Sequence, residues 1–305
     1  MGWCSMNAKK SWPVIGLAVG AAIICIIRRL HVRAKTLAWQ MKQSLDVDVL
    51  ACPTCHRPLF RIAEGLQCAQ CHKIYPIIDG IPHFVEPYRL TGLNKRFSKL
   101  YDWFSWIYRS FSRVAFALIG ISEEQARREV TDRLEPHGGR VLEVSIGPGV
   151  NLPYLINRSD VGEVFGLDIS PGQLQRCQEF AAHQDWQVQL HLANAEQLPY
   201  ADGAFDSVFH IGGINFFNDK KKAIEEMIRV AKPGARILIA DENEKGARGY
   251  EKIFPGFGRN FDGQREMIMP PIDLVPESML ERRIFDIWKD WFYCIEFRKP
   301  SIIEV

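Results

Sequence analysis

The hydrophobic pattern changes character three times along the chain. Residues 12–27 are sixteen consecutive positions without a charge, bracketed by Lys9 and Lys10 before and Arg28 and Arg29 after. A run of nearly bilayer-spanning length, apolar on all sides, predicts a membrane helix rather than one face of a soluble helix. No small-residue cleavage site follows it, so a removable signal peptide fits less well. Residues 97–111 hold seven aromatics, Phe97, Tyr101, Trp103, Phe104, Trp106, Tyr108 and Phe111, and helical spacing places them on two faces. From Arg140 onward, short apolar runs alternate with helical patterns, which predicts βαβ units around a parallel sheet. Strands are expected at 141–144, 164–168, 205–209 and 236–240. A closing hairpin is expected from the apolar-aromatic runs 284–288 and 291–297. The organisation expected is an anchor over 1–35, a small cysteine module over 48–86, an aromatic and basic helical segment over 90–125, and an α/β domain over 138–300.

Composition narrows the class. With 305 residues, 47% hydrophobic and 24% charged, the chain is globular rather than disordered or fibrous. Its 38 basic and 36 acidic side chains give no global field that favours nucleic acid. The charge is unevenly placed: residues 1–50 carry seven Lys/Arg against two Asp, and residues 89–113 six against one. Two basic segments on an otherwise acidic protein suit anionic lipid headgroups, although solvated surface charge would account for either alone. Arg28, Arg29, Arg33 and Lys35 outnumber Lys9 and Lys10, which places the C-terminal part on the cytoplasmic side. Gly16 and Gly20 form a small-xxx-small pair that a homodimer of such helices could use, though small residues are ordinary in membrane helices.

Four of the eight cysteines form two CxxC knuckles, Cys52-Pro-Thr-Cys55 and Cys68-Ala-Gln-Cys71, twelve residues apart. Two such turns facing each other close a tetrahedral thiolate shell around zinc and leave no open coordination position, so the site is structural. Disulfides are disfavoured on the cytoplasmic side. His56 and His72 each follow a knuckle cysteine and could substitute as ligands, but a complete Cys4 set makes that unnecessary. Cys4, Cys25, Cys177 and Cys294 share no pattern. The tail Tyr75-Pro76-Ile77-Ile78-Asp79-Gly80-Ile81-Pro82, behind a Cys-Pro-x-Cys start, resembles the short zinc-ribbon family that includes the small activator subunit of tRNA and protein methyltransferases. In that family the module accompanies a methyltransferase as partner or fusion.

In the α/β half, Val141-Leu142-Glu143-Val144 runs into Ser145-Ile146-Gly147-Pro148-Gly149-Val150-Asn151. A glycine turn at a strand's carboxyl end lets a ligand approach the backbone. Val164-Phe165-Gly166-Leu167-Asp168 follows, ending in an acid 25 residues after Glu143. A carboxylate there can accept ribose hydroxyls. The loop reads E-x-S-x-G-x-G rather than the G-x-G-x-x-G of dinucleotide folds. With Asn194-Ala195-Glu196-Gln197-Leu198-Pro199-Tyr200, Phe205-Asp206-Ser207-Val208-Phe209 and Ala231-Lys232-Pro233-Gly234-Ala235, residues 138–300 resemble the class I S-adenosylmethionine-dependent methyltransferases, nearest the branch acting on quinones and sterols.

The resemblance implies an α/β, Rossmann-like seven-stranded methyltransferase sheet whose last pair is antiparallel, here with an N-terminal zinc ribbon and membrane helix. Carried over, Glu143 lies near the methionine amino group of S-adenosylmethionine. Ser145, Gly147, Gly149 and Asn151 shape the loop, Asp168 holds the ribose, and Asn194 and Ala195 border the adenine. Two positions depart from the family pattern. Ser145 stands at the first loop glycine, which a negative φ would allow. Asn194 stands at the adenine acid and can still accept from the exocyclic amine. His210, at the end of its strand, is the candidate base, with a cofactor-lining or structural histidine as the alternative.

The resemblance makes the aromatic segment a lid over the acceptor site, and its Trp, Tyr and basic residues also suit a bilayer interface. Core packing between ribbon and catalytic domain is the other reading. The expected activity is methyl transfer to a lipophilic small molecule such as a quinone, terpenoid or lipid. RNA or protein acceptors, which the activator-like ribbon permits, and a silent membrane adaptor are the alternatives. The connection 241–276 is expected to shape the acceptor pocket with Phe254, Phe257 and Phe261.

Overall fold

The structure, a computed structural model, describes residues 12–105, 108–253 and 268–301, with side chains throughout except at 12–23, 101, 103–104, 108–111 and 250–253. Helix α1 (Trp12–Lys42) is one helix of 31 residues. Among the described residues, no helix is long and apolar enough to cross a membrane. The described stretch of α1 carries Arg28, Arg29, Arg33, Lys35 and Lys42, and its last turns dock on protein. Trp39 is buried and donates its indole N–H to the Trp186 carbonyl at 2.6 Å, while Lys42 pairs with Asp185 at 2.8 Å. The expected span is therefore not found, and most of run 12–27 falls where side chains lie outside the description.

The cysteine module folds as β1 (Leu59–Ile62), β2 (Gly65–Cys68), β3 (Ile74–Ile78) and β4 (Ile81–Pro82), antiparallel throughout. Asp79 and Gly80 turn β3 into β4 with φ of 49° and 78°, the left-handed pair that an Asp-Gly hairpin turn supplies. The module shares one apolar core with the larger domain, in which Leu66, Tyr75 and Phe84 pack with Phe165, Leu198 and Tyr200.

The aromatic segment is two helices, α2 (Gly92–Phe104) and α3 (Tyr108–Leu118), where the sequence pattern suggested one. Of its seven aromatics only the Phe97 side chain lies within the description; it is buried and stacks on Phe216 with centroids 3.9 Å apart. Helix α4 (Glu123–Thr131) follows, its Ser122 hydroxyl capping Gln125 N at 3.0 Å.

The main sheet has seven strands in the order β10-β11-β9-β8-β5-β6-β7. They are β5 (Arg140–Val144), β6 (Glu163–Asp168), β7 (Gln189–Leu192), β8 (Phe205–Ile211), β9 (Ala231–Glu242), β10 (Leu280–Ile287) and β11 (Phe292–Arg298). The five from β9 to β7 are parallel and β11 runs antiparallel between β9 and β10. Parallel strands are covered on both faces, and β5 and β8 are accordingly buried along nearly their whole length, polar Glu143, Ser207 and His210 included. Helices α5 (Pro171–Gln184), α6 (Lys220–Val230) and α7 (Glu244–Ile253) are the remaining ones described. The edge at β7 is not left open. Phe84 N donates to Leu192 O at 2.8 Å, His83 bridges Leu192 in parallel, and Leu50 bridges Tyr200. The module thus caps an edge that would otherwise present unpaired backbone groups.

Candidate active site and metal centre

Cys52, Cys55, Cys68 and Cys71 converge with all four Sγ atoms within 4.8 Å of one another. Cys52 and Cys71 stand 3.7 Å apart, and Cys55 and Cys68 3.4 Å. A tetrahedron of about 2.3 Å zinc–thiolate bonds requires sulfur separations of about 3.8 Å, so the set fits a structural zinc. His56 and His72 are outside the cluster; each adopts a left-handed φ, 56° and 57°, as the turn residue after its knuckle. Cys177 and Cys294 are buried thiols, Cys25 is exposed, and Cys4 lies outside the described residues.

A second site opens at the carboxyl ends of the parallel strands, where such sheets place their ligands. One cavity is lined there by Glu143, Ser145, Gly147, Asn151, Asp168, Asn194 and Ala195. Of the eight residues expected to hold the cofactor only Gly149 is absent from its walls. A Cβ on Gly149 would come within 2.8 Å of Cys177 Sγ and Leu152 Cδ1, so this glycine lets the loop pack down. Gly147 instead faces open space at φ 56°.

The two acids are held by opposite means. Glu143 Oε1 accepts from Asn151 Nδ2 at 2.6 Å, while Oε2 is buried without a partner. Burial pushes Glu143 up to about 8, opposed by the Asn151 hydrogen bond and the charge of Arg127. An orphaned carboxyl oxygen in a cavity wall suits a cationic or N–H group of a ligand. Asp168 accepts Gly147 N and Ser170 N, each at 2.9 Å, and so ties the glycine loop to β6. Burial nonetheless raises it to about 6. Asn194 Oδ1 accepts from Glu196 N at 3.0 Å, which fixes the amide beside the cavity. An ammonium near Glu143, ribose hydroxyls near Asp168 and an open glycine loop between them fit S-adenosylmethionine.

Two expectations need correction. Ser145 does not keep a negative φ; it sits at 62°, in the left-handed region that glycine occupies without strain. The structure does not bring His210 to the cavity. Successive strand side chains face opposite ways, and it is Ile211 that reaches the wall. His210 is fully buried, its Nδ1–H donates to Val144 O at 2.9 Å, and its ring packs on Phe217 with centroids 5.2 Å apart. Burial lowers its pKa, so the ring is held neutral. Phe254, Phe257 and Phe261 lie outside the described residues.

Several wall residues carried no local signal. Arg127, on α4, is buried, lines the cavity, donates to Ser112 Oγ at 2.7 Å and lies 5.0 Å from the Phe116 ring centroid. Its positive charge beside Glu143 suits a ligand carboxylate. An arginine in an ordinary amphipathic helix has no motif around it, so only the folded chain reveals it. Asn94 and Phe97 bring α2 over the cavity, and Phe216, Phe217 and Glu242 close the far end.

Residues 142–239 match the family profile of a methyltransferase domain, and residues 47–80 that of Trm112p-like proteins. The chain is 32% identical over 145 residues to the demethylmenaquinone methyltransferase of Thermus thermophilus, covering 45% of this chain and 66% of that protein. It is 27% identical over 185 residues to the ubiquinone/menaquinone biosynthesis C-methyltransferase UbiE of Geobacter sulfurreducens, covering 60% and 72%. Against O-methyltransferase resE of Aspergillus sclerotiorum it is 33% identical over 124 residues, covering 40% and 47%. The chain thus spans about half to two thirds of the length of the first curated relatives it matches. The fold is also that of a candidate S-adenosyl-L-methionine-dependent methyltransferase from Methanococcus maripaludis, with a TM-score of 0.52 at 19% identity over 71% of this chain and 98% of that one.

Proposed function

For a chain that joins a class I methyltransferase domain to a Trm112p-like zinc ribbon, we propose S-adenosylmethionine-dependent methyl transfer to a lipophilic small molecule. The observation that carries the reading is the single cavity shared by Glu143, Gly147 and Asp168, with an orphaned carboxyl oxygen at one side and a fixed carboxylate at the other. Bound S-adenosylmethionine would supply an electrophilic methyl, which would pass to a carbon, oxygen or nitrogen of the acceptor as its bond to sulfur breaks, leaving S-adenosylhomocysteine and a proton released from the acceptor to solvent; the chain's part is to hold the two in line, and positioning supplies much of the rate. Glu143 and Arg127 hold the amino-acid end of the cofactor, and Asp168 the ribose.

Apart from Glu242, the far end of the cavity is apolar, with Phe97 stacked on Phe216 and with Phe217 and Ile211 also in its wall. Such a surface supports a quinone-like or terpenoid acceptor, as does the likeness to quinone methyltransferases. The uncharged run 12–27 and the basic residues after it support attachment to a membrane with the catalytic part on the cytoplasmic side. Exposed Ile24, Ile26, Ile27 and Leu30 on α1 support the same attachment.

A protein or RNA acceptor is the second reading, favoured by the Trm112p-like match. It is weakened because the ribbon spends its apolar face on the chain's own sheet. The test is methyl-labelled S-adenosylmethionine given to the full chain in detergent with fractionated cell extract. Label in the organic phase supports the proposal, and label confined to protein or RNA replaces the substrate. Absence of cofactor binding by folded protein leaves only an adaptor.

A further inference from the structure

The cavity spans the carboxyl ends of three adjacent strands, with Glu143 on β5, Asp168 on β6, and Asn194 and Ala195 just past β7. A ligand whose ammonium meets Glu143 and whose ribose meets Asp168 therefore carries its base to the end of β7. There the Asn194 amide is already engaged. Its Oδ1 accepts Glu196 N at 3.0 Å and its Nδ2 lies 3.5 Å from Glu196 Oε2, so both ends of the amide turn onto the next residue but one. A second amide stands in the same wall. Asn94, in the first turn of α2, is buried and lines the cavity. Asn218 fixes the backbone around it: Oδ1 accepts Leu93 N at 2.9 Å and Asn94 N at 3.4 Å, and Nδ2 donates to Thr91 O at 3.1 Å. That close approach needs Gly92, at φ 58°, where a Cβ would collide with Asn218 Oδ1.

The Asn94 side chain is oriented by a carboxylate. Its Nδ2 donates to Glu196 Oε1 at 3.0 Å, an oxygen that also accepts Asp219 N at 3.1 Å. A carboxylate only accepts, so the amide cannot turn over without setting oxygen against oxygen. Asn94 Oδ1 is left on the other branch of the amide, where it accepts from none of the described residues. We infer that Asn94 Oδ1 reads the base of the cofactor. It accepts the exocyclic amine of the adenine, the contact that the resemblance gives to Asn194, and Glu196 is the positioning residue that holds the amide the right way round. This rests on the methyltransferase reading and adds base recognition to a site whose other ends are held by Glu143 and Asp168. Because Asn94 belongs to α2, recognition of the base and seating of that helix over the cavity are one event. A base with oxygen in place of the amine meets Asn94 oxygen to oxygen and works against that seating.

The experiment is calorimetry of the full chain in detergent with two ligands, S-adenosylhomocysteine and S-inosylhomocysteine, in which an oxygen replaces the amine. The native chain is expected to bind the adenosyl compound roughly tenfold tighter, one hydrogen bond's worth. Asn94→Leu should shrink that ratio to less than about threefold, and Asn194→Ala should keep it. Loss of the α2 pin alone would weaken both ligands together and leave the ratio untouched. An Asn94→Leu ratio equal to the native one therefore overturns the inference. A ratio lost in Asn194→Ala overturns it too, because the amine then belongs to Asn194. Equal binding of both ligands by the native chain overturns it without any variant. Should the leucine variant not fold, Asn94→Ser is read by the same ratio. Failure of the folded native chain to bind S-adenosylhomocysteine at all sinks the methyltransferase reading instead, so the two failures are distinguishable.

Discussion

The carboxylate of Asp102, on α2, accepts the backbone N–H of Gly172 at 2.8 Å, across the seam where α2 crosses the N-terminus of α5. The same carboxylate takes the Ser170 hydroxyl, and Ser98 Oγ donates to Ile169 O at 3.2 Å. At the other end of α2, Leu93 N donates to Asn218 Oδ1 at 2.9 Å and Asn94 Nδ2 to Glu196 Oε1 at 3.0 Å. Helix α2 is therefore pinned at both ends over the strand that presents Asp168, as a lid above the cofactor cavity.

Asp102→Ala removes one pin and one anionic partner from the start of α5. Stability is expected to fall by about 1 kcal/mol, and S-adenosylhomocysteine to dissociate several-fold faster in stopped-flow. An unchanged dissociation rate with a lowered melting temperature would restrict Asp102 to capping α5.

Cofactor binding is expected to release a proton near neutral pH. Free Glu143, raised to about 8 by burial, is neutral there, and an ammonium beside it favours the ionised form. Affinity for S-adenosylmethionine should therefore rise with pH toward about 8. In the free protein the sign is opposite: the folded state keeps a proton that the unfolded chain has released, so stability falls as pH rises from the ordinary Glu range through about 8. Calorimetry in buffers of different ionisation enthalpy reads the proton directly, and identical heats would remove Glu143 from contact with the amino group.

Ser145, at φ 62°, is strained where glycine is not. Ser145→Gly should raise stability by up to about 1 kcal/mol, and Ser145→Val should lower it by more than that, because a β-branched side chain tolerates this region worst. Denaturant midpoints decide the matter; a stabilising valine would contradict the geometry.

Removing the metal should destabilise the whole chain. Ribbon and sheet share a core through Tyr75, Phe84, Phe165 and Tyr200, and the ribbon caps the β7 edge. Chelation, or Cys68→Ser, is expected to lower one common thermal transition rather than a small separate one. A catalytic-domain transition that stays in place after complete zinc removal would show that the ribbon folds apart from it.

Much of the site was legible because it is local. The loop from Glu143 to Asn151 and the acid at Asp168 are strand-end features whose spacing fixes their meaning, and the structure gathers seven of the eight expected residues around one cavity. The knuckle cysteines were legible for the same reason, since CxxC geometry is set within four residues. His210 was misplaced because one residue along a strand reverses the face, and strand ends are the least certain part of a sequence reading. Arg127 was missed because its importance depends on where α4 packs, not on its neighbours in the chain.

The sequence by itself determined the βα alternation, the four-cysteine cluster and the glycine loop at the strand end, because each follows from short-range periodicity, spacing or turn chemistry. Only the tertiary structure decided which side chains share the cavity, that Asp102 and Asn94 pin a lid over it, and that the ribbon closes the sheet edge. Those relations join residues separated by tens to more than a hundred positions, as Asn94 to Glu196 and Phe84 to Leu192. Contacts of that range depend on the packing of whole elements and leave no period in the chain. The charge state of Glu143 and Asp168 belongs to the same class, because burial sets it and burial is a property of the fold.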